Sequence, residues 1–484
     1  MNKKTSILSN YFYTMCYQVL ALLTPLITTP YVARVLGVDG VGQYSYAFSI
    51  VNYFSILGAL GVNTYGKLKI AEARDDIKET SKLFWEIFIA RCITVAISLC
   101  LYVILYIKMV DYRPILLVLS LNILSVAFDI TWFFQGLEEF RLTALRSIIV
   151  KILNVIAIFL FVKDSDDVLV YTFIMQFTLF IGFIVLWGSL KKNIVKINFR
   201  EIKLIHHWKR SAVYFIPTLA GTLYSYVDKT MIGAILGSDS ENGYYEEAHK
   251  IEQVLLSAVT SLSMVIMPRM AFLFKKAKRS EANGIIKRSV TVTLMISFAM
   301  MTGLICVSER LVPWFLGKGF ENSIKMLYVF SPLLMVSGLK ACIGQGIVMP
   351  LGKQKEYNTA VVIGTIFNII TNYVLITLYG GIGAAIASLL SEIVVVFILL
   401  LYSKSYLSIL DIIRWSYKYV VASVVMAGVV IAVDNILDIP TTLLLMTEAM
   451  VGACVYFAVL MLIRDTAAID MKNRLLSLLR RKKK

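Results

Sequence analysis

Charged residues are scarce in this chain of 484 residues: 16% are Asp, Glu, Lys or Arg, whereas 58% are hydrophobic. An ordinary soluble domain is about 25% charged and about 45–50% apolar. The composition therefore excludes a soluble domain of this size. The mean hydropathy of +0.76 indicates lipid as the solvent, in which a spanning helix needs about 20 mostly apolar residues.

Cysteine and histidine are also few. The six cysteines fall at irregular positions, mostly inside apolar runs, and none of the three histidines lies near a cysteine in sequence. This pattern predicts neither a disulfide framework nor a metal site.

Long polar segments and a nucleotide-binding loop are missing too. No segment between apolar runs exceeds roughly 25 residues, so we expect no attached soluble domain. The pairs Gly317-Lys318 and Gly352-Lys353 lack the upstream glycine and the following hydroxyl of a phosphate-binding loop. We therefore predict a transporter that is not driven directly by ATP, with no catalytic residues and no resident cofactor.

What the chain does have is a series of long apolar runs. They predict an all-α integral membrane protein, because backbone groups in hydrocarbon must be satisfied within each segment. We expect about fourteen transmembrane helices, near 11–33, 43–62, 83–107, 114–135, 147–162, 168–187, 211–236, 250–270, 290–307, 327–348, 359–378, 382–402, 419–437 and 442–463.

Basic residues are distributed unevenly between alternate loops. Roughly 35 of the 48 Lys and Arg residues fall on the side of the N-terminus, which the positive-inside rule assigns to the cytoplasm. Both termini are therefore expected in the cytoplasm. The net charge of +17 is explained by these short loops, so we expect contact with membrane lipids and no nucleic acid.

An internal repeat divides the predicted helices. Leu36-Gly37-Val38-Asp39 reappears as Leu236-Gly237-Ser238-Asp239, and both copies connect the first and second helix of a six-helix block. Repeats with an even number of helices are parallel in topology. The expected regions are an N-lobe of six helices (1–190), a basic cytoplasmic linker (191–210), a C-lobe of six helices (211–402), helices 13 and 14 (403–463) and a polybasic cytoplasmic tail (464–484).

The segment Pro30-Tyr31-Val32-Ala33-Arg34-Val35-Leu36-Gly37, followed by Gly40, Gly42, Gln43 and Tyr44, resembles a known family. So do Gly58-Ala59-Leu60-Gly61 and the basic loop after them. The family is the Wzx-type polysaccharide flippases of the multidrug/oligosaccharidyl-lipid/polysaccharide exporter superfamily. The resemblance implies two lobes with alternating access, a bacterial plasma (inner) membrane, and a substrate of undecaprenyl-diphosphate-linked oligosaccharide moved from the inner to the outer leaflet. It also implies candidate protein partners, namely the polysaccharide polymerase and glycosyltransferases of the same pathway. The cargo could be a capsule or O-antigen repeat, a teichoic-acid precursor or a peptidoglycan precursor.

Ionisable residues inside predicted spans are the candidate site residues, because a charge in lipid is costly and usually faces a cavity or a partner. We predict that the diphosphate of the substrate is bound by Arg34, Arg91, Lys229 and Lys340. Tyr224 and Tyr226 are candidates to stack on sugar rings. The alternative is that these cations pair with buried carboxylates or extend to the nearest interface, which we expect for Lys151.

Carboxylates inside the spans are candidates for energy coupling. Without a nucleotide site, the default is coupling to a proton or sodium gradient. Asp129, Asp228 and Glu392 could carry the ion, or they could neutralise the cations. A cation-coupled exporter of drugs or other small molecules, from the related multidrug branch, remains the alternative function.

Overall fold

The computed structural model describes residues 3–198 and 202–481, and these residues form helices, turns and bends but no strand. The first eight helices are α1 (Lys3–Ala59), α2 (Val62–Ala73), α3 (Ile77–Lys108), α4 (Arg113–Phe128), α5 (Thr131–Gly136), α6 (Phe140–Phe161), α7 (Val168–Leu190) and α8 (Leu204–Leu236). The other eight are α9 (Asp239–Lys275), α10 (Arg279–Phe315), α11 (Glu321–Ile343), α12 (Gln354–Tyr379), α13 (Gly381–Ser403), α14 (Ile409–Ile436), α15 (Thr441–Leu462) and α16 (Thr466–Arg481). A π-helical segment, Gly344–Val348, follows α11.

Twelve helical segments among the described residues are long and apolar enough to cross a membrane. The first of them, Met15–Ala73, runs through two predicted spans, and α8 is not among the twelve. Every predicted span lies largely in helix, which confirms the all-α membrane class. The number of fourteen crossings and the cytoplasmic termini stay predictions.

Several helices extend beyond the predicted spans, and two differences from the expected bounds concern candidate residues. The predicted span 114–135 is interrupted at Asp129 and Ile130, where α4 ends and α5 begins. The predicted span 147–162 begins earlier, at Phe140. The reason is that charged residues end a span predicted from hydropathy, whereas Arg141 and Arg146 both lie in α6.

The repeated glycines both have a positive φ, although their ψ values differ (−177° at Gly37 and 24° at Gly237). Gly37 interrupts α1 with a φ of 69°, and Gly237 ends α8 with a φ of 61°. Residues with a side chain rarely adopt such positive φ values. The predicted repeat therefore corresponds to a repeated break between two helices.

The helical turns that follow these two glycines, in α1 and at the start of α9, pack tightly against each other. A Cβ atom on Gly42 would lie 1.7 Å from the carbonyl oxygen of Asp239, and one on Gly243 would lie 2.2 Å from the carbonyl oxygen of Val38. Tyr112 donates a hydrogen bond to Asp239 Oδ1 at 2.6 Å. Glycine is required at both contacts because the backbones leave no room for a Cβ atom.

The chain packs as two compact units, 1–243 and 244–484. In the first, buried apolar residues of α1, α3, α4, α6 and α7 form one cluster. A second cluster is aromatic and includes Phe84, Trp132 and Phe133. Helix α8 packs with α1, α2 and α3 of this unit. The predicted division at residues 191–210, with α8 in the C-lobe, stays a prediction.

In the second unit, one large apolar cluster extends over α10, α11, α13, α14 and α15. Helices α14 and α15 pack on α10, and the Tyr456 hydroxyl of α15 donates to the Met295 carbonyl of α10 at 2.9 Å. Helix α16 contacts α10 and α15. Residues 482–484 of the predicted polybasic tail lie outside the described residues, and its binding to anionic lipid stays a prediction.

Candidate functional site

The predicted residues of α8 lie beside the second half of α1. Asp228 and Lys229 are buried, at 5% and 8% exposure, and the Lys229 ammonium lies 5.6 Å from the centre of the Tyr226 ring. Tyr226 in turn makes an edge contact with Phe48, with ring centres 6.2 Å apart. Tyr224 is half-buried. The structure thus brings Lys229, Tyr226 and Phe48 together within the first unit.

Arg91 of α3 is paired with Asp129, at the break between α4 and α5. Its guanidinium donates to the Asp129 carbonyl oxygen at 2.8 Å, and it lies 3.7 Å from the Asp129 carboxylate. Asp129 Oδ1 also accepts from the Thr131 backbone N–H at 2.9 Å. Arg91 is only 1% exposed. This geometry is the one expected if the cation pairs with a buried carboxylate and does not bind substrate. Arg34, by contrast, is exposed near the end of the first half of α1.

In the second unit, Lys340 of α11 donates to Glu392 of α13. Glu252 of α9 is buried and interacts electrostatically with both of these residues. Gln253 donates to the Glu252 carboxylate at 3.0 Å. A cation and two carboxylates therefore lie near one another in this unit, and Glu252 is not among the candidates predicted from the sequence.

A histidine near the start of α8 is also buried. His207 Nδ1 lies 2.7 Å from the Tyr65 hydroxyl, and its Nε2 lies 2.9 Å from Glu86. Glu86 accepts a further hydrogen bond from the Lys203 backbone N–H at 2.9 Å. These contacts connect α8 to α2 and α3, so His207 fixes the start of α8 within the first unit.

A polar pocket of about 240 Å³ lies among α1, α4, α6 and α7 of the first unit. Amides form much of its wall: Asn122 donates to Gln176 at 2.8 Å and accepts from Ser55 at 2.6 Å. Asn154 accepts from Thr178 at 2.6 Å. These hydrogen bonds hold the amide groups in fixed positions.

Two cations, Arg146 and Lys151, also line the pocket. The Arg146 guanidinium lies 4.4 Å from the centre of the Phe183 ring, and the Lys151 ammonium lies 5.9 Å from that of Tyr17. Within the described part of the chain, neither cation forms an ion pair with a carboxylate, and Arg146 Nε is buried without a hydrogen-bond partner. Asp129 interacts with Arg146 electrostatically from beyond ion-pair distance. The described residues that line the pocket also include no carboxylate.

The same pocket is lined by Tyr44 and Phe48 of α1, whose rings stack at 5.3 Å. Phe48 is the residue that contacts Tyr226 of α8. Cations, amides and aromatic rings are the groups that bind phosphate, sugar hydroxyls and sugar faces respectively. The pocket can therefore hold a polar, anionic ligand inside a bundle of apolar helices.

Residues 7–274 match the family described as polysaccharide biosynthesis protein, which covers more than half of the chain. The chain belongs to this family. Among its relatives is the "Putative O-antigen transporter" of Escherichia coli (strain K12), which is 25% identical over 83% of this chain and 98% of that protein. The "Probable low-salt glycan biosynthesis flippase Agl15" of Haloferax volcanii is 23% identical over 58% of this chain and 60% of its own length.

Solved structures show the fold to which this polysaccharide biosynthesis protein is similar. The lipid II flippase MurJ, in an inward closed conformation, has a TM-score of 0.73 and is 18% identical, over 94% of this chain and 99% of that one. An inward-facing multidrug resistance transporter of the MATE family has a TM-score of 0.62 and is 12% identical. The match covers 85% of this chain and 98% of that one. These two comparisons place the chain in the fold class predicted from its sequence.

The polar pocket of this family member is not among the features predicted from its sequence. The predicted span begins after Arg146, and it places Lys151 near the helix end, from which its side chain would extend to the interface. Because α6 begins at Phe140, Lys151 lies half-way along it. The available signal was the presence of Asn122 and Gln176 inside two otherwise apolar spans, since amides buried in a membrane need partners.

Proposed function

We propose that this protein is a flippase that moves undecaprenyl-diphosphate-linked oligosaccharide from the inner to the outer leaflet of a bacterial plasma membrane. The observation that carries the proposal is the pocket with two cations and fixed amides inside the helices of a polysaccharide biosynthesis family member. Two relatives are named as an O-antigen transporter and a glycan biosynthesis flippase, which supports lipid-linked sugar as the substrate class.

The chemistry of the pocket suits this cargo. A diphosphate needs cations in a site of low dielectric, where charge-assisted hydrogen bonds are stronger than in water. Amide groups can exchange hydrogen bonds with sugar hydroxyls, and the rings of Tyr44 and Phe48 offer flat apolar faces. The hydrophilic part of the substrate would thus cross the bilayer without contacting lipid.

Lys229 is proposed as a further ligand of the substrate, because it lies over Tyr226, whose ring contacts the pocket residue Phe48. Lys229→Ala should lower transport severalfold while the protein remains inserted, and Lys209→Ala, outside the predicted spans, is the control. Wild-type transport in Lys229→Ala would exclude Lys229 from the site. Arg34, Lys340 and Tyr224 remain candidates, as does Arg91, although its pairing with Asp129 is equally suited to a structural role.

The driving force is proposed to be a proton or sodium gradient, with Asp129, Asp228 and Glu392 as candidate carriers. Export of drugs or other small molecules is less well supported. Such cargo is commonly cationic, whereas the described residues lining the pocket supply two cations and no carboxylate. The resemblance to the MATE transporter concerns the fold alone.

The proposal can be tested in cells that depend on this protein for a surface polysaccharide. After depletion, the lipid-linked oligosaccharide should accumulate in the inner leaflet, where a lectin added to intact spheroplasts cannot reach it. Lysis should then expose it to the lectin. Oligosaccharide that stays accessible on the outer leaflet after depletion would contradict the proposal.

A further inference from the structure

A groove on the first unit adjoins the polar pocket. It has a volume of about 360 Å³ and runs between α6 and α7. Its wall on α6 carries Leu153, Ile156 and Leu160, which are 50%, 49% and 60% exposed. Val185 of α7, at 62% exposure, lies on the opposite wall. These side chains make the groove apolar along the surface of the helix pair.

The groove and the pocket meet at Arg146, which lines both. From Arg146 to Leu160 the groove follows α6 for about 21 Å, since each helical residue rises about 1.5 Å. This is about two thirds of the hydrocarbon thickness of a bilayer, which is about 30 Å. A molecule that filled both spaces would have a long apolar chain, an anionic junction and a polar head.

Gly182 of α7 makes this junction possible. A Cβ atom there would lie 2.4 Å from Val150 Cγ2 and 3.4 Å from Arg146 Nη1. Without a side chain at this position, α6 and α7 approach closely and the stem of Arg146 lies across α7. The Arg146 guanidinium is thereby held against Phe183, at the end of the groove.

We infer that the α6–α7 groove holds the polyprenyl chain of the substrate while Arg146 and Lys151 bind its diphosphate, with the sugars in the polar pocket. This inference rests on the proposed function and adds the path of the lipid chain. Two cations that form no ion pair with a carboxylate among the described residues match a diphosphate better than a phospholipid, whose single phosphodiester carries less charge. In the predicted orientation α6 begins on the cytoplasmic side, which is the side where the substrate is loaded.

The test uses the full-length protein in liposomes and a polyprenyl diphosphate that carries a photoreactive diazirine on its chain. After illumination, peptide mapping should place the label on residues 149–160 of α6 and 177–185 of α7. Excess unlabelled polyprenyl diphosphate should remove the label, whereas the same excess of phosphatidylglycerol should not. Arg146→Gln should lower labelling by about tenfold, because one charge-assisted interaction is lost.

Arg141→Gln is the matched control, since Arg141 lies on the same helix but over the Tyr13 ring and outside the groove. The Arg141→Gln protein should be labelled to the same extent as the wild type. Equal displacement by phosphatidylglycerol would overturn the inference, because the groove would then hold ordinary lipid. Label confined to other helices, in protein that still transports oligosaccharide, would overturn it while leaving the proposed function intact. Absence of both label and transport would refute the proposed function and the inference together.

Discussion

The contact between the two repeated turns makes a sharp prediction about Gly42. In Gly42→Ala, the new Cβ atom would lie 1.7 Å from the Asp239 carbonyl oxygen, 2.6 Å from its carbon and 2.8 Å from the Gly243 nitrogen. All three atoms belong to backbone, so no side chain can rotate away to make room. The turn would have to retreat by roughly 1.5 Å or more, since non-bonded atoms pack about 3.5 Å apart.

Overpacking a well-packed site costs about 1–3 kcal/mol, and we expect Gly42→Ala to reach or exceed the upper end of this range. A loss of 1–2 kcal/mol already changes the ratio of folded to unfolded protein by a factor of about 5–30. The substitution should therefore lower the thermal midpoint and the yield of monodisperse protein. Thermal unfolding of the purified protein in detergent, followed by intrinsic fluorescence and by size-exclusion chromatography, measures both effects.

Gly188→Ala and Gly428→Ala are matched controls, because a Cβ atom at either helical position would meet nothing within 4 Å. Both should be neutral or slightly stabilising, as alanine is favoured over glycine in helices by about 1 kcal/mol. Gly243→Ala should resemble Gly42→Ala, since its Cβ atom would lie 2.2 Å from the Val38 carbonyl oxygen. If Gly42→Ala were as stable and active as the controls, the described packing of the two turns would be refuted.

Three further predictions concern buried ionisable residues. Arg91→Met should lower the free energy of unfolding by about 3–5 kcal/mol, as expected when one partner of a buried pair is removed. Adding Asp129→Asn should restore part of the lost thermal midpoint, and no recovery would refute the pairing. Glu392→Gln should flatten the dependence of transport on the proton or sodium gradient if Glu392 carries the ion, and an unchanged gradient response in liposomes would restrict it to pairing. His207→Phe should lower the free energy of unfolding by about 1–3 kcal/mol through the loss of two buried hydrogen bonds, whereas His206→Phe, at an exposed position, should have no effect on thermal unfolding.

Much of the fold could be predicted from the sequence, because hydropathy reports directly on which segments avoid water. Every apolar run forms helix, and the repeated Leu-Gly-x-Asp motif identifies two glycines that both have a positive φ. The motif is informative because only glycine adopts such a conformation without strain.

Pairing between helices could not be predicted in the same way. Arg91 and Asp129 are 38 residues apart, and Lys340 and Glu392 are 52 apart. Nothing in the local pattern of either helix specifies the rotation that brings such charges into contact. The sequence therefore left open whether each cation binds a ligand or a carboxylate.

The polar pocket was missed for a related reason. A charged residue ends an apolar run in a hydropathy pattern, so the predicted span excludes Arg146, which lies in α6. In the structure the close approach of α6 to Gly182 accommodates the Arg146 stem. Long basic side chains can thus lie well inside a membrane helix when a neighbouring glycine makes space for them.

The central claim is that this protein moves lipid-linked oligosaccharide between leaflets. It is tested most directly in liposomes that contain the purified protein and undecaprenyl-diphosphate oligosaccharide, with an impermeant glycosidase added outside to digest the exposed sugars. Without protein, the glycosidase should stop after digesting the outer leaflet alone. With active protein we predict that digestion proceeds to the inner-leaflet pool, and that Arg146→Gln slows this second phase by about tenfold. Digestion that stops at the outer leaflet with correctly folded wild-type protein, under an imposed proton or sodium gradient, would contradict the account.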